Sequence, residues 1–217
     1  MSCTICGTRK PRRFCPGVNG QICAQCCGEG RENTISCPLD CEYLLEAREH
    51  ERYVEVDPAT IPNRDVELTE AYLERIDPLV GLFARFLLIG AVETEGATDS
   101  DIRDAIEALV KSYRTRQSGL IYDSVSENAV AAAIQKRVAD ALQQFSQTVQ
   151  EKIGSNPFRD ADILGALVFW QRFAIQINNG RPKGRAFLTV LIERVGQLER
   201  EAAGREESPE GPSLIVP

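Results

Sequence analysis

Cys3-Thr4-Ile5-Cys6-Gly7 and Cys23-Ala24-Gln25-Cys26-Cys27 are the stretches on which the reading turns, with Cys37-Pro38-Leu39-Asp40-Cys41 closing the run. Cys15 completes the set, so every cysteine lies within the first 41 residues, and residues 42–217 contain none. Eight thiols suit two tetrahedral all-thiolate zinc sites at four ligands each. Such a set leaves no coordination position open for water or substrate, so the metal would be structural. Cysteine-only ligation also suits an iron–sulfur cluster or redox thiols. The count, the C-x-x-C spacing and the lack of other ligand types favour two zinc ions.

The apolar side chains of residues 1–41 are mainly Ile5, Phe14, Val18, Ile22, Ile35 and Leu39, too few to build a core. A segment this short folds with the help of metal or disulfides. Glycines and prolines such as Gly7, Gly17, Pro16 and Pro38 supply turns around the ligands. Gly7, just past the second thiol, suits a knuckle whose backbone takes a positive φ. Two knuckles separated by a sixteen-residue loop place Cys3, Cys6, Cys23 and Cys26 on one ion. Cys15, Cys27, Cys37 and Cys41 remain for the second, and the two sites interleave as a cross-brace.

On these residues the segment resembles double-zinc cross-brace fingers of the HIT, MYND and B-box type, the Cys15-Pro16 step followed by Ile22-Cys23 being most similar to the HIT pattern. The resemblance covers about a fifth of the chain. It departs after Cys15, where Val18 and Asn19 stand in place of a ligand, so Cys26 or Cys27 must serve and their assignment stays open. The resemblance implies a protein-interaction module with no catalytic metal.

Outward from the finger, Glu42 to His50 reads as a helix that begins at the last ligand. His50 is the lone histidine; flanked by Glu49, Glu51 and Arg52, it reads as a surface residue. Residues 53–64, with Pro58 and Pro62, form an extended linker. The expected organisation is a cysteine module with exit helix over 1–52, that linker, an all-α bundle of about five helices over 65–203, and a disordered acidic tail over 204–217.

Within the bundle, apolar spacing predicts a helix over 68–92, with Asp77-Pro78 kinking it or starting a second one. Thr98 to Asp101 forms a capping box for the next, which ends at Ser118-Gly119. Ser124 or Ser126 caps a helix over 127–153. Residues 160–178, apolar on most faces, belong at the centre, and the last helix spans about 185–202. No strand pattern is visible.

The net charge of −7 is unevenly spread. Residues 1–41 hold five basic groups (Arg9, Lys10, Arg12, Arg13, Arg31) against three acids, so the remainder carries −9. A body of that sign repels a phosphate backbone. The most apolar stretch, Leu79 to Val92, is interrupted by Arg85 and falls short of the roughly 20 residues a bilayer span needs. The N-terminus has no apolar signal core, and clustered reduced thiols point to the cytoplasm.

Three places bear on chemistry. Residues 178–185 set Arg181, Lys183 and Arg185 with two glycines before a helix N-terminus, a geometry for phosphate or carboxylate, though a plain helix–helix turn is the favoured reading. Residues 113–122, with Arg114 and Arg116, read as a C-cap loop, and Asp160 and Asp162 as first-turn acids. No catalytic set emerges. The leading expectation is a zinc-binding adaptor with a protein partner. The alternatives are a nucleic-acid-associated regulator using Arg9, Lys10, Arg12 and Arg13, with Arg181, Lys183 and Arg185, and an enzyme with a pocket between helices.

Overall fold

Among the described residues the apolar stripes written into 70–206 close on one another as five helices, α3 (Glu70–Val92), α4 (Asp99–Gln117), α5 (Ala129–Ile153), α6 (Asp160–Gln176) and α7 (Ala186–Glu206), behind two short ones in the cysteine segment, α1 (Ala24–Gly30) and α2 (Glu42–Arg48). The computed structural model describes residues 2–120, 122–155 and 158–206. Helix α3 (Glu70–Val92) starts at Thr69, whose hydroxyl accepts the Tyr72 amide. It runs unbroken through Pro78, where the sequence allowed a break. Ile76, Leu79, Val80 and Phe83 bury on either side of the proline. Pro78 itself is exposed, so the carbonyl it leaves unpaired turns to water.

Helix α4 (Asp99–Gln117) opens on the expected capping box, Asp101 accepting the Thr98 amide at 2.8 Å. It ends at Ser118, followed by Gly119 at φ 81°. Helix α5 (Ala129–Ile153) is capped by Asn128 and not by either serine. The serines are engaged elsewhere: the Ser124 amide donates to Ser112, and the Ser126 hydroxyl accepts the Asn128 amide. Asn128 is left to cap Val130 and Ala131.

Helix α6 (Asp160–Gln176) is the buried centre, and Trp170 donates its indole N–H to the Val80 carbonyl at 3.0 Å. Helix α7 (Ala186–Glu206) begins under a borrowed cap. The carboxylate of Asp99, on α4, accepts the Phe187 and Leu188 amides at 2.9 and 3.0 Å. Burial pushes the Asp99 carboxyl above its ordinary range, while those two amides pull it back down. Helix α3 packs against α5, α6 and α7, and α4 against α5 and α6, around one apolar cluster. Among the described residues no helix is long and apolar enough to cross a membrane. Helix α7 enters the stretch expected as a tail, and residues 207–217 lie outside the described residues.

The segment read as a linker contains a 3-10 turn (Pro58–Thr60) and is strapped to the body. The Arg172 guanidinium on α6 donates to the carbonyls of Pro62, Asn63 and Val66. Arg114 on α4 grips Asp65 at 2.5 and 2.7 Å and Asn63 at 3.0 Å, holding the Asp65 carboxyl below its usual range. The cysteine segment keeps a second, separate apolar cluster made of its cysteines with Ile22, Ile35 and Leu44. It also contains two strands that the sequence did not display, β1 (Arg13–Cys15) and β2 (Gly20–Ile22), paired antiparallel. Three residues are too few to write a period of two.

Gly165 on α6 lies under the Tyr72 ring, and a Cβ there would come within 2.7 Å of that ring. A helical glycine replaced by alanine ordinarily gains up to about 1 kcal/mol. Here Gly165→Ala is expected to lose about 1–3 kcal/mol through overpacking, read by urea unfolding. On a Tyr72→Ala background the same Gly165→Ala change should cost little, because the ring it meets is gone.

Candidate metal centre

The first knuckle turns on Gly7, at φ 67°, whose amide closes onto the Cys3 carbonyl at 2.8 Å. The second begins helix α1 (Ala24–Gly30), with Cys23 at its N-cap and the Cys23 sulfur accepting the Cys26 amide at 3.4 Å. The hairpin brings the two together, because the Thr4 amide bonds to Gln21 of β2 and the Cys3 amide to Arg9. The Sγ atoms of Cys3, Cys6, Cys23 and Cys26 then all lie within 4.8 Å of one another. Zinc–sulfur bonds of about 2.3 Å in a tetrahedron put sulfurs roughly 3.8 Å apart, so the cluster needs only a small contraction.

The surroundings suit thiolates. The Cys23 amide donates to Cys3 Sγ at 3.3 Å and the Arg9 amide to Cys6 Sγ at 3.5 Å, while the Arg9 guanidinium stands 4.0 Å from Cys26 Sγ. The Thr8 hydroxyl, with the Arg9 and Thr8 amides, lowers Cys6 to about 5, and the Cys6 amide leads in lowering Cys3. Cys26 is driven the other way, to about 12, first by its hydrogen bond with Cys23 and then by burial. Thiols packed this closely share protons and resist full ionisation unless a cation neutralises them. A dication supplies that neutralisation, and four thiolates fill its coordination shell. Cys26, not Cys27, belongs to this group.

The other four cysteines line the same small core, but among the described residues they do not draw together as the first four do. Cys15 ends β1, and Cys41 is the N-cap of helix α2 (Glu42–Arg48). The Cys37 thiol is pushed up by burial, with Glu32, Cys15 and Cys41 near enough to add repulsion. Cys27 follows Cys26 on α1 and so points about 100° around the helix. Its sulfur receives the Arg13 guanidinium at 3.8 Å, and Arg13 lies 3.7 Å over the Tyr43 ring. His50 is exposed.

Between Cys27 and Cys37 the chain makes a tight loop and presents Glu32, at φ 50°, to the helical body. That carboxylate is fully buried. One oxygen accepts the Arg48 guanidinium at 3.0 Å and the Arg185 amide at 2.9 Å; the other accepts the Asn179 side chain at 3.2 Å. The Lys183 amide donates to the Glu32 carbonyl, Arg181 to the Arg31 carbonyl and the Lys183 ammonium to the Thr34 carbonyl. The turn at residues 178–185 therefore does hold a carboxylate, one supplied by its own chain. Nothing in the sequence singled out Glu32, Arg48 or Asn179. A lone acid between ligands reads as solvated, and two of its three partners, Asn179 and Arg185, lie 147 and 153 positions away.

The other candidates are absorbed by the fold. Arg114 holds Asp65, Arg116 pairs with Asp123 at 2.9 Å, and Asp162 pairs with Arg75 at 3.0 Å. A cavity of about 730 Å³ between α4 and α5 has an apolar floor including Phe83, Leu109 and Val138. Its rim cations already carry acids, Arg116 with Asp123 and Lys136 with Asp140. Comparison with protein-family models, with curated proteins and with solved structures finds no match.

Two outcomes follow from this geometry. Cys23→Ser removes one sulfur of the candidate site while leaving a good N-cap hydroxyl at the start of α1, so loss of metal ligation alone should unfold the cysteine segment while far-UV circular dichroism keeps most of the helical signal of α3–α7. Glu32→Ala leaves Arg48 buried without its carboxylate, which should cost about 3 kcal/mol and speed hydrogen exchange at the Lys183 and Arg185 amides, with bound metal retained.

Proposed function

We propose that this protein is a zinc-binding adaptor of the cytoplasm, in which metal folds a rigid knob and the helical body supplies the larger contact surface. The observation that carries the reading is the set of four cysteine sulfurs, Cys3, Cys6, Cys23 and Cys26, gathered within 4.8 Å of one another. Closed ligation of this kind belongs to folding and not to catalysis. The reading includes a second zinc ion on Cys15, Cys27, Cys37 and Cys41, completing the cross-brace that the spacing suggests. Metal would draw Cys27 from Arg13 toward Cys15, Cys37 and Cys41.

The nucleic-acid alternative is weakened by where the cations go. Lys183 and Arg181 are tied to backbone carbonyls of the cysteine segment, and Arg13 and Arg9 sit against cysteine sulfurs. An enzymatic role at the cavity between α4 and α5 is weakened by its rim cations being taken, Arg116 by Asp123 and Lys136 by Asp140.

Elemental analysis of protein purified without an affinity metal should give two zinc ions per chain. One zinc would confine the reading to Cys3, Cys6, Cys23 and Cys26, and iron would sink it. For the adaptor role, the intact zinc-loaded protein immobilised in its native lysate should retain a stoichiometric protein partner; capture of none counts against the role.

A further inference from the structure

The outer face of the β1–β2 hairpin combines features that the fold leaves unused. Along β1, Cys15 is buried and Arg13 turns inward to Tyr43 and Cys27, so the alternate positions Arg12 and Phe14 face water. Phe14 is 53% exposed, a high value for an aromatic ring in so small a module. It stands opposite Gln21 in the sheet register, and Gln21 takes two hydrogen bonds from Thr4, at 2.9 and 3.0 Å. Ile5, the next residue, is 47% exposed. Lys10 and Arg12 are exposed as well, and neither makes a side-chain hydrogen bond or ion pair among the described residues. Arg12 and Phe14 thus share the water-facing side of the strand with Lys10 close by in the chain, whereas Ile5 lies across β2 beside Thr4.

Building on the adaptor reading, we infer that this face binds an extended acidic peptide segment carrying at least one large apolar residue. Charge complementarity selects the acid: the segment around the hairpin is net positive in a chain whose total is −7. Thr4 occupies the far edge of β2, so the side of the hairpin carrying Phe14 is where an extended strand can lie. Phe14 is an apolar anchor, which a purely acidic chain would not fill. A single-stranded nucleic acid could use the ring and the cations, but a long polyanion would run against the acidic body.

The test uses the full-length zinc-loaded protein and a short fluorescent peptide of aspartates and glutamates with a central Leu-Phe pair. Fluorescence anisotropy should show saturable binding that weakens with salt. Lys10→Glu with Arg12→Glu should weaken it roughly tenfold or more, or about 1.4 kcal/mol, and should let the protein bind the same peptide with lysines in place of the acids. Phe14→Ser should weaken it comparably, as should replacing Leu-Phe by Ser-Ser in the peptide. Unchanged zinc content in each variant shows that the module still folds. Equal affinity in the variants, no binding at low salt, or tighter binding of a short oligo(dT) would each overturn the inference. Failure here is separable from failure of the adaptor role. If the Lys10→Glu/Arg12→Glu protein captures the same lysate partner as the wild type, the role stands and only the hairpin face is wrong; if neither captures one, both fall.

Discussion

Four sulfur atoms within 4.8 Å of one another are the constraint on which the cysteine segment depends. The hydrogen bond to Cys23 and burial push Cys26 up to about 12, while the Thr8 hydroxyl and the Arg9 and Thr8 amides hold Cys6 at about 5. A dication bound there would tie two knuckles, a hairpin and the start of α1 into one object. The apolar part of this segment is little more than Ile22, Ile35 and Leu44 among the cysteines, a core so small that segments of this size ordinarily need a metal or a crosslink to fold.

The second constraint is electrostatic and joins the two halves. Glu32 is a fully buried acid, and its three donors come from α2, the α6–α7 turn and the N-terminus of α7. A buried ion pair adds little net stability compared with apolar packing, but losing one partner is severe. Such a contact therefore fixes position more than it adds strength: the module can sit on the body in one way. Asp99 works by the same logic within the body, reaching from α4 to start α7.

Much of the helical architecture was legible because helices write their period into sequence. The Thr98–Asp101 box, the glycine after Ser118 and the apolar run of α6 each announce themselves locally. The grouping of Cys3, Cys6, Cys23 and Cys26 was legible for a similar reason, since C-x-x-C fixes two sulfurs on one turn. Features that depend on distant partners were not. Asn128 displaces the serines as a cap only because Ser112 and the loop engage them. Glu32 looks like any surface acid until residues 179 and 185 arrive beside it. Pro78 reads as a break, and the core packed on both sides of it decides otherwise.

That last separation has a consequence in time. Glu32 lies 147 residues ahead of Asn179 and 153 ahead of Arg185. At the roughly 5–20 residues per second of protein synthesis, the loop leaves the ribosome roughly 7–30 s before its receptor turn exists. Throughout that interval the acid has no partner on the body. Docking of the cysteine segment therefore comes last, and the buried carboxylate spends its first seconds in water.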